Sequence, residues 1–523
     1  MRKYIAIEKL LVVLLSIFIL VSTCGCLSQD DEVEVIKDDL IIGVADPIFG
    51  FYPWLESYDV ASLSINHNIF NALVGFDELF RVKAELAESW NNPDNITWRF
   101  RLRKDVKFHN GYDLTAEDVK YSIDLVKNDE NNVLRDLLTS VNQTNVVDNL
   151  TVDIITYKPC PILLNKLTDI LIVSKKYQEE TDSKLPVGTG AYKYVEYSHN
   201  NYTVLERFDD YWKGKPDVKI VTFRLYENST ERRDALVSKE IDIAENILPA
   251  DYNNLSNISY ISLNTVTPPT VVYLSFDFRE NNSAAYGDQK NPLSDVRVRK
   301  AIYHSIDVNE IIERVGNKTM LCEPASQFVT PLIYGYNPEI SRLDYDLDEA
   351  RRLLNESGYP DGFKLSMDCP IEFYEQITIC EVVEEQLSKI LNFSLNMISL
   401  EEFFEKIIER NTSFYIIGWM AATGDGGEIY DYLIGTVDSE AGVGTYNVGY
   451  YSNPDVDRIA EEISCTLDFE ERLNLMQEGF KIAVDDIAHI PIVSTKLIYG
   501  VRDHVDWAPR PNMNIIVETI ELI

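Results

Sequence analysis

Trp98-Arg-Phe-Arg-Leu-Arg-Lys-Asp-Val-Lys-Phe-His-Asn-Gly111, followed by Leu114-Thr-Ala-Glu-Asp-Val-Lys-Tyr-Ser122, is the stretch that decides the fold. Trp98 to Leu102 alternates apolar and basic residues, the period of a half-exposed strand. His109-Asn-Gly111 makes a turn, with glycine taking backbone angles that other residues resist. Thr115 then caps a helix running to Val126: Asp118 stands three residues on, and Val119, Ile123 and Val126 line one face. Strand, turn and capped helix in succession indicate a mixed α/β chain.

The same pattern recurs on both sides. Leu40-Ile-Ile-Gly-Val44 suits a buried first strand. Asp346-x-x-Glu349 is a capping box for a helix ending at Gly358, with Ala350, Leu353 and Leu354 facing inward. Asn453-Pro454 supplies an N-cap and a proline at the first helical position, before a stripe of Val456, Ile459 and Ile463. Asp468-x-x-Glu471 opens another helix. The chain shows no internal repeat or low-complexity block.

At 523 residues the chain has room for two to four domains. Its 85 acidic against 48 basic residues give a net charge of −37, which argues against nucleic acid as a partner, since phosphate binding needs clustered Lys and Arg. Apolar residues at 45%, with 30 tyrosines, exclude a disordered acidic protein.

Residues 1–25 read as a secretory signal: a basic start, an apolar run from Leu10 to Val21 too short to span a bilayer, then small residues. Ser22-Thr-Cys-Gly-Cys26 resembles a lipoprotein cleavage box, with Cys26 (alternatively Cys24) as the acylated residue holding the protein to the membrane. Residues 26–38 are polar and acidic and read as a flexible tether. Twelve N-x-[S/T] sequons occur, where chance would supply roughly four. Sequons and lipobox together point to an archaeal surface protein. Of the cysteines beyond the leader, Cys369 and Cys380 are candidates to pair; buried free thiols are the alternative.

No G-x-S-x-G, H-E-x-x-H or G-x-x-x-x-G-K-[S/T] motif occurs, and the six histidines stand singly. A binding protein with no catalytic residues, metal or cofactor is the expectation; an exported hydrolase is the rival.

Several segments in order resemble the family 5 solute-binding proteins of ABC transporters, the dipeptide, oligopeptide and nickel receptors. They are Trp98–Gly111 with Leu114–Ser122, Pro186–Lys193, Glu206–Pro216, Asp295–Ile302, Ala350–Leu354 with Gly358-Tyr-Pro360, Gly418-Trp419, Tyr451–Asp457 and Ile490-Pro491. The resemblance implies an α/β, two-lobed, periplasmic-binding-protein-like fold of type II with an extra subdomain inserted in the first lobe. By analogy lobe I is 36–68, 185–285 and 478–523, the insertion 69–184, and lobe II 286–477. It further implies a monomer that takes a small solute, peptide-like or else a nickel chelate or oligosaccharide, and serves an ABC permease and its ATPase. A sensor on the same scaffold is the other reading.

Two stretches are candidates for the cleft. The loop Asp46 to Tyr58 carries Phe51, Tyr52 and Trp54, rings that must pack or stack on a ligand; Tyr52 and Trp54 are its candidate contacts. The second stretch is Gly418 to Glu428, with Trp419. Peptide-binding members carry an Asp three residues beyond the shared Trp, against the peptide ammonium, and here Ala422 stands there. Asp425 is a candidate replacement, although Asp425-x-x-Glu428 also reads as a capping box for a helix through Leu433. Tyr446 and Asn447 are expected to approach the ligand from the second lobe.

Overall fold

The computed structural model describes residues 38–523 except 58, 182–184, 282, 288, 316–320 and 373. The leader, Cys26 and almost all of the tether therefore lie outside the described residues.

Two mixed sheets form the frame. In the first, Asp39–Val44 lies centrally, parallel to both Ile220–Leu225 and Ile243–Ala244. Its strand order is 261–266, 497–502, 243–244, 39–44, 220–225, 202–207 and 192–198. The second sheet runs 322–324, 489–495, 270–276, 414–420, 364–370 and 392–398. Between Phe70 and Tyr192 a four-stranded antiparallel sheet (87–94, 97–102, 151–156, 141–148) forms the inserted subdomain. Its apolar face joins the core of the first sheet, with Phe100, Val119, Ile123, Val152 and Ile154 all inaccessible to solvent.

The local signals operate as read. Thr115 N–H donates to the Asp118 carboxylate at 2.8 Å ahead of the helix Ala116–Asn128. Asp346, Asn453 and Asp468 cap Leu347–Glu356, Pro454–Cys465 and Phe469–Asp485 through backbone N–H groups. Gly188 and Gly190 lie so close to the neighbouring backbone that an added Cβ would stand 2.1 Å from Ile69 O and 2.5 Å from Asn68 O, respectively. Cys369 and Cys380 are joined as a disulfide, linking the strand Lys364–Pro370 to the helix Tyr374–Leu387.

The crossings between sheets fall elsewhere than expected. The chain leaves the first sheet after Ile261–Val266 and enters the second at Thr270–Phe276, through Thr267-Pro268-Pro269. It returns between His489–Thr495 and Leu497–Arg502, through Lys496 alone. The boundaries placed near 285 and 478 are thereby corrected. Val271, Tyr273, Leu274 and Phe276 are buried, so this strand needs cover on both faces and belongs inside the second sheet. Met476 and Phe480 likewise pack Phe469–Asp485 into the second lobe.

Candidate functional site

The strand Phe414–Met420 pairs with the first crossover strand so that Met420 faces Thr270, and Ala421 N–H donates to Pro269 at 2.9 Å. The loop that follows thus leaves the sheet at the point where the chain passes between lobes. Asp425 fixes this loop. Its carboxylate accepts two bonds from Arg472, at 2.6 and 2.8 Å, and a third from Gly427 N–H at 2.8 Å. Both side chains are buried. A short helix, Gly427–Ile429, runs into a wider π turn, Tyr430–Ile434, an element that often re-aims side chains at functional sites.

Here the π turn brings Tyr432 beside Trp419. The ring centroids of Trp419, Tyr432 and Tyr446 lie 5.6, 5.1 and 6.0 Å apart pairwise. Tyr446 N–H donates to Tyr432 O, and Gly444 N–H to Asp431 O, so the later loop is tied to the turn. Tyr446 remains half exposed. Behind the rings Glu428 is buried and accepts from Trp419 Nε1 at 3.0 Å, from Thr423 N–H at 3.1 Å and from the Thr423 hydroxyl. Burial outweighs these donors and pushes its carboxyl up to about 7.

Asp431 stands apart. Its side chain keeps contact with solvent and, among the described residues, its carboxylate makes no hydrogen bond or ion pair. Surrounding protein nevertheless raises its pKa by desolvation, with Lys166 and Lys158 of the insertion acting in the opposite sense. Asp431 is thus an exposed carboxylate beside the ring cluster and within electrostatic reach of the insertion's lysines, and together they line a charged and aromatic recess at the surface. The insertion also closes on the loop directly: Asn165 Nδ2 donates to Thr423 O at 2.7 Å, and the Phe76 and Phe80 rings pack on Gly424. The hydroxyl of Tyr432 is pushed up to about 12, first by burial and then by Asp431 and Glu428.

Of the residues expected at a ligand, Trp419 and Tyr446 come together as described. Asp425 does not join them, because its charge is already matched by Arg472. Asn447 is also part of the frame: buried, it donates to Gly435 O and Tyr451 O and accepts from Tyr451 N–H. Tyr52 turns inward against Phe70, with its N–H on Asn66 Oδ1 at 2.8 Å. Trp54, 36% exposed, keeps open surface. Tyr432, Glu428 in its role beside Trp419, Asp431 and the two lysines were not anticipated. Among the described residues no group of three or more His, Cys, Asp or Glu is placed to hold a metal ion.

Two sheet lobes joined by two short crossings, with an aromatic and charged recess beside them, define a two-lobed binding protein. The family of bacterial extracellular solute-binding proteins, family 5 (middle), matches residues 81–440, and the chain belongs to it. The dipeptide-binding protein of Escherichia coli K12 is 25% identical over 498 residues, covering 87% of this chain and 89% of that one. The glutathione-binding protein GsiB of Salmonella choleraesuis SC-B67 is 25% identical over 481 residues, 88% and 90% of the two chains. Among solved structures, the ABC transporter substrate-binding protein CtaP of Listeria monocytogenes superposes with a TM-score of 0.81 at 25% identity, over 92% of this chain and 99% of that one. Proteins of this family act outside the cytoplasm, and among the described residues no helix is long and apolar enough to cross a membrane.

Proposed function

We propose that this protein is the receptor of an ABC importer, held by lipid at Cys26 on the outer face of the membrane, and that it captures a peptide-like solute between its lobes. The observation that carries this reading is the recess itself. The three-ring cluster and Asp431 come from the second lobe, and Lys158, Lys166 and Asn165 come from the insertion on the first. A solute held there touches both halves, so it favours the closed form over the open one, and the closed form is what a permease can recognise. ATP is hydrolysed by the partner, with no bond made or broken in the receptor.

Asp431 takes the place of the missing carboxylate at Ala422 and meets the ammonium of the solute, while the rings stack on its side chains. Trp54 is the candidate contact from the first lobe. The net charge of −37 favours the approach of a cationic end over an anionic one. The names of the dipeptide-binding and glutathione-binding relatives support the peptide class.

A thermal-shift screen tests this, with short peptides, the same peptides N-acetylated, sugars and nickel chelates. Free peptides should stabilise the protein by about 2.7 kcal/mol at 100 times their dissociation constant, and acetylation should abolish the effect. Binding of sugars or chelates alone would refute the peptide reading. Multiple-turnover product from any of them would refute the receptor reading.

A further inference from the structure

The asparagines that begin sequons are not distributed like the others. Eleven of the twelve (95, 142, 149, 201, 228, 254, 257, 281, 355, 392 and 411) lie among the described residues, and all eleven are exposed. Of the 24 other described asparagines only 11 are exposed, while seven are buried. Drawing eleven at random from this set would leave every one exposed about twice in a thousand trials.

The amide nitrogens differ as well. Six of the seven buried asparagines (66, 68, 71, 291, 337 and 447) use Nδ2 as a donor that holds the fold together. Of the eleven sequon asparagines only Asn257 does so, donating to Asn253 O at 2.6 Å. Asn228 caps a helix through Oδ1, which leaves Nδ2 uncommitted. The sites fall on hairpin turns (95, 149, 201), at helix ends (228, 355) and on the edge strands 141–148 and 392–398. None falls within 46–94, 150–200 or 412–523, the stretches that carry the aromatic loop and both sides of the recess.

We infer that these asparagines, Asn257 excepted, are N-glycosylation sites, and that the glycans clothe both lobes and the insertion while leaving the recess bare. The donor is a glycan linked through phosphate or pyrophosphate to a polyprenyl lipid, used by a membrane glycosyltransferase. The amide nitrogen attacks the anomeric carbon and a C–N bond forms. The C–O bond to the phosphate breaks, and the amide proton leaves with the lipid phosphate. The inference rests on an extracytoplasmic location and is independent of which solute is bound.

The test is glycopeptide mapping by mass spectrometry of the full chain purified from membranes of its own host. Modification is expected at a majority of the ten sites, with Asn91, Asn110 and Asn474, exposed outside any sequon, unmodified. In the same host Asn95→Gln should lower the intact mass by one glycan, and Asn91→Gln should leave the glycan mass unchanged. Modification at a minority of the ten or at none, or at asparagines outside sequons, would overturn the inference. Protease treatment of whole cells separates the two readings: a chain digested from outside yet unglycosylated refutes glycosylation and leaves the receptor standing.

Discussion

The loop 46–57 and the segment 418–447 begin with the same ingredients, aromatic rings close together in a turn-rich stretch, and end differently. In the first, Tyr52 is drawn into the core and Phe51 packs edge-on against Tyr194 and Tyr197, so only Phe49 and Trp54 of its rings retain substantial open surface. In the second, Glu428 holds Trp419 from behind, the Asp425–Arg472 pair and Asn447 are buried in the adjoining frame, and the rings stand together as a cluster with Tyr446 half exposed. The number of rings does not distinguish a core from a binding surface. What distinguishes them is whether polar residues close to them have already occupied the interior.

That contrast can be tested, beginning with the frame. Asp425→Ala strands a buried guanidinium and should lower unfolding stability by about 3–5 kcal/mol in denaturant titration; exchanging Arg472 for Met as well should recover part of the loss. If the single variant keeps wild-type stability and loses only solute binding, Asp425 belongs to the surface after all. Asp431→Asn should do the reverse. A charged hydrogen bond is worth about 1.5–3 kcal/mol, so calorimetry should show affinity falling roughly 10- to 100-fold with stability unchanged, whereas Trp54→Ala should weaken binding less.

Glu428 gives a pH signature. Its pKa is raised in the fold, so between the unfolded value of 4.5 and about 7 the native state holds a proton that the unfolded chain lacks. Its contribution to stability therefore grows as pH falls. Between pH 8 and 5.5 wild type should gain about 2 kcal/mol relative to Glu428→Gln, read from melting curves. His109 and His489, both pushed down to about 4 by burial, act oppositely below pH 6.5 in both proteins and cancel from the difference. The smallest effect expected is that of Asn165→Ala. Losing one neutral hydrogen bond across the mouth, about 1 kcal/mol, should weaken solute binding about fivefold.

The capped helices at 116, 347, 454 and 469 were legible because a cap and its stripe are local: the residues that decide them stand within one turn. The sheet crossings were not. An apolar run such as Val271 to Phe276 reads the same in either lobe, and only pairing with 414–420 and 489–495 assigns it. At the site, Trp419 and Tyr446 could be nominated from the sequence. Tyr432 could not, since it reaches Trp419 through a turn wider than the helix that Asp425-x-x-Glu428 suggested. Lys158 and Lys166 act from the other lobe, more than 250 positions away in the chain, and no local pattern announces them.

The crossings at 267–269 and at Lys496 lie side by side, because Val266 pairs with Leu497 on one side and Val272 with Val493 on the other. For the lobe closure proposed above, two pins on one line would allow a swing and oppose a slide or a twist. Two consecutive prolines, with fixed φ angles, stiffen one of the pins. Under that proposal a guest entering the jaw would not have to tame a loose string between its halves, since the entropy that a long linker would have cost on closing is already spent in folding.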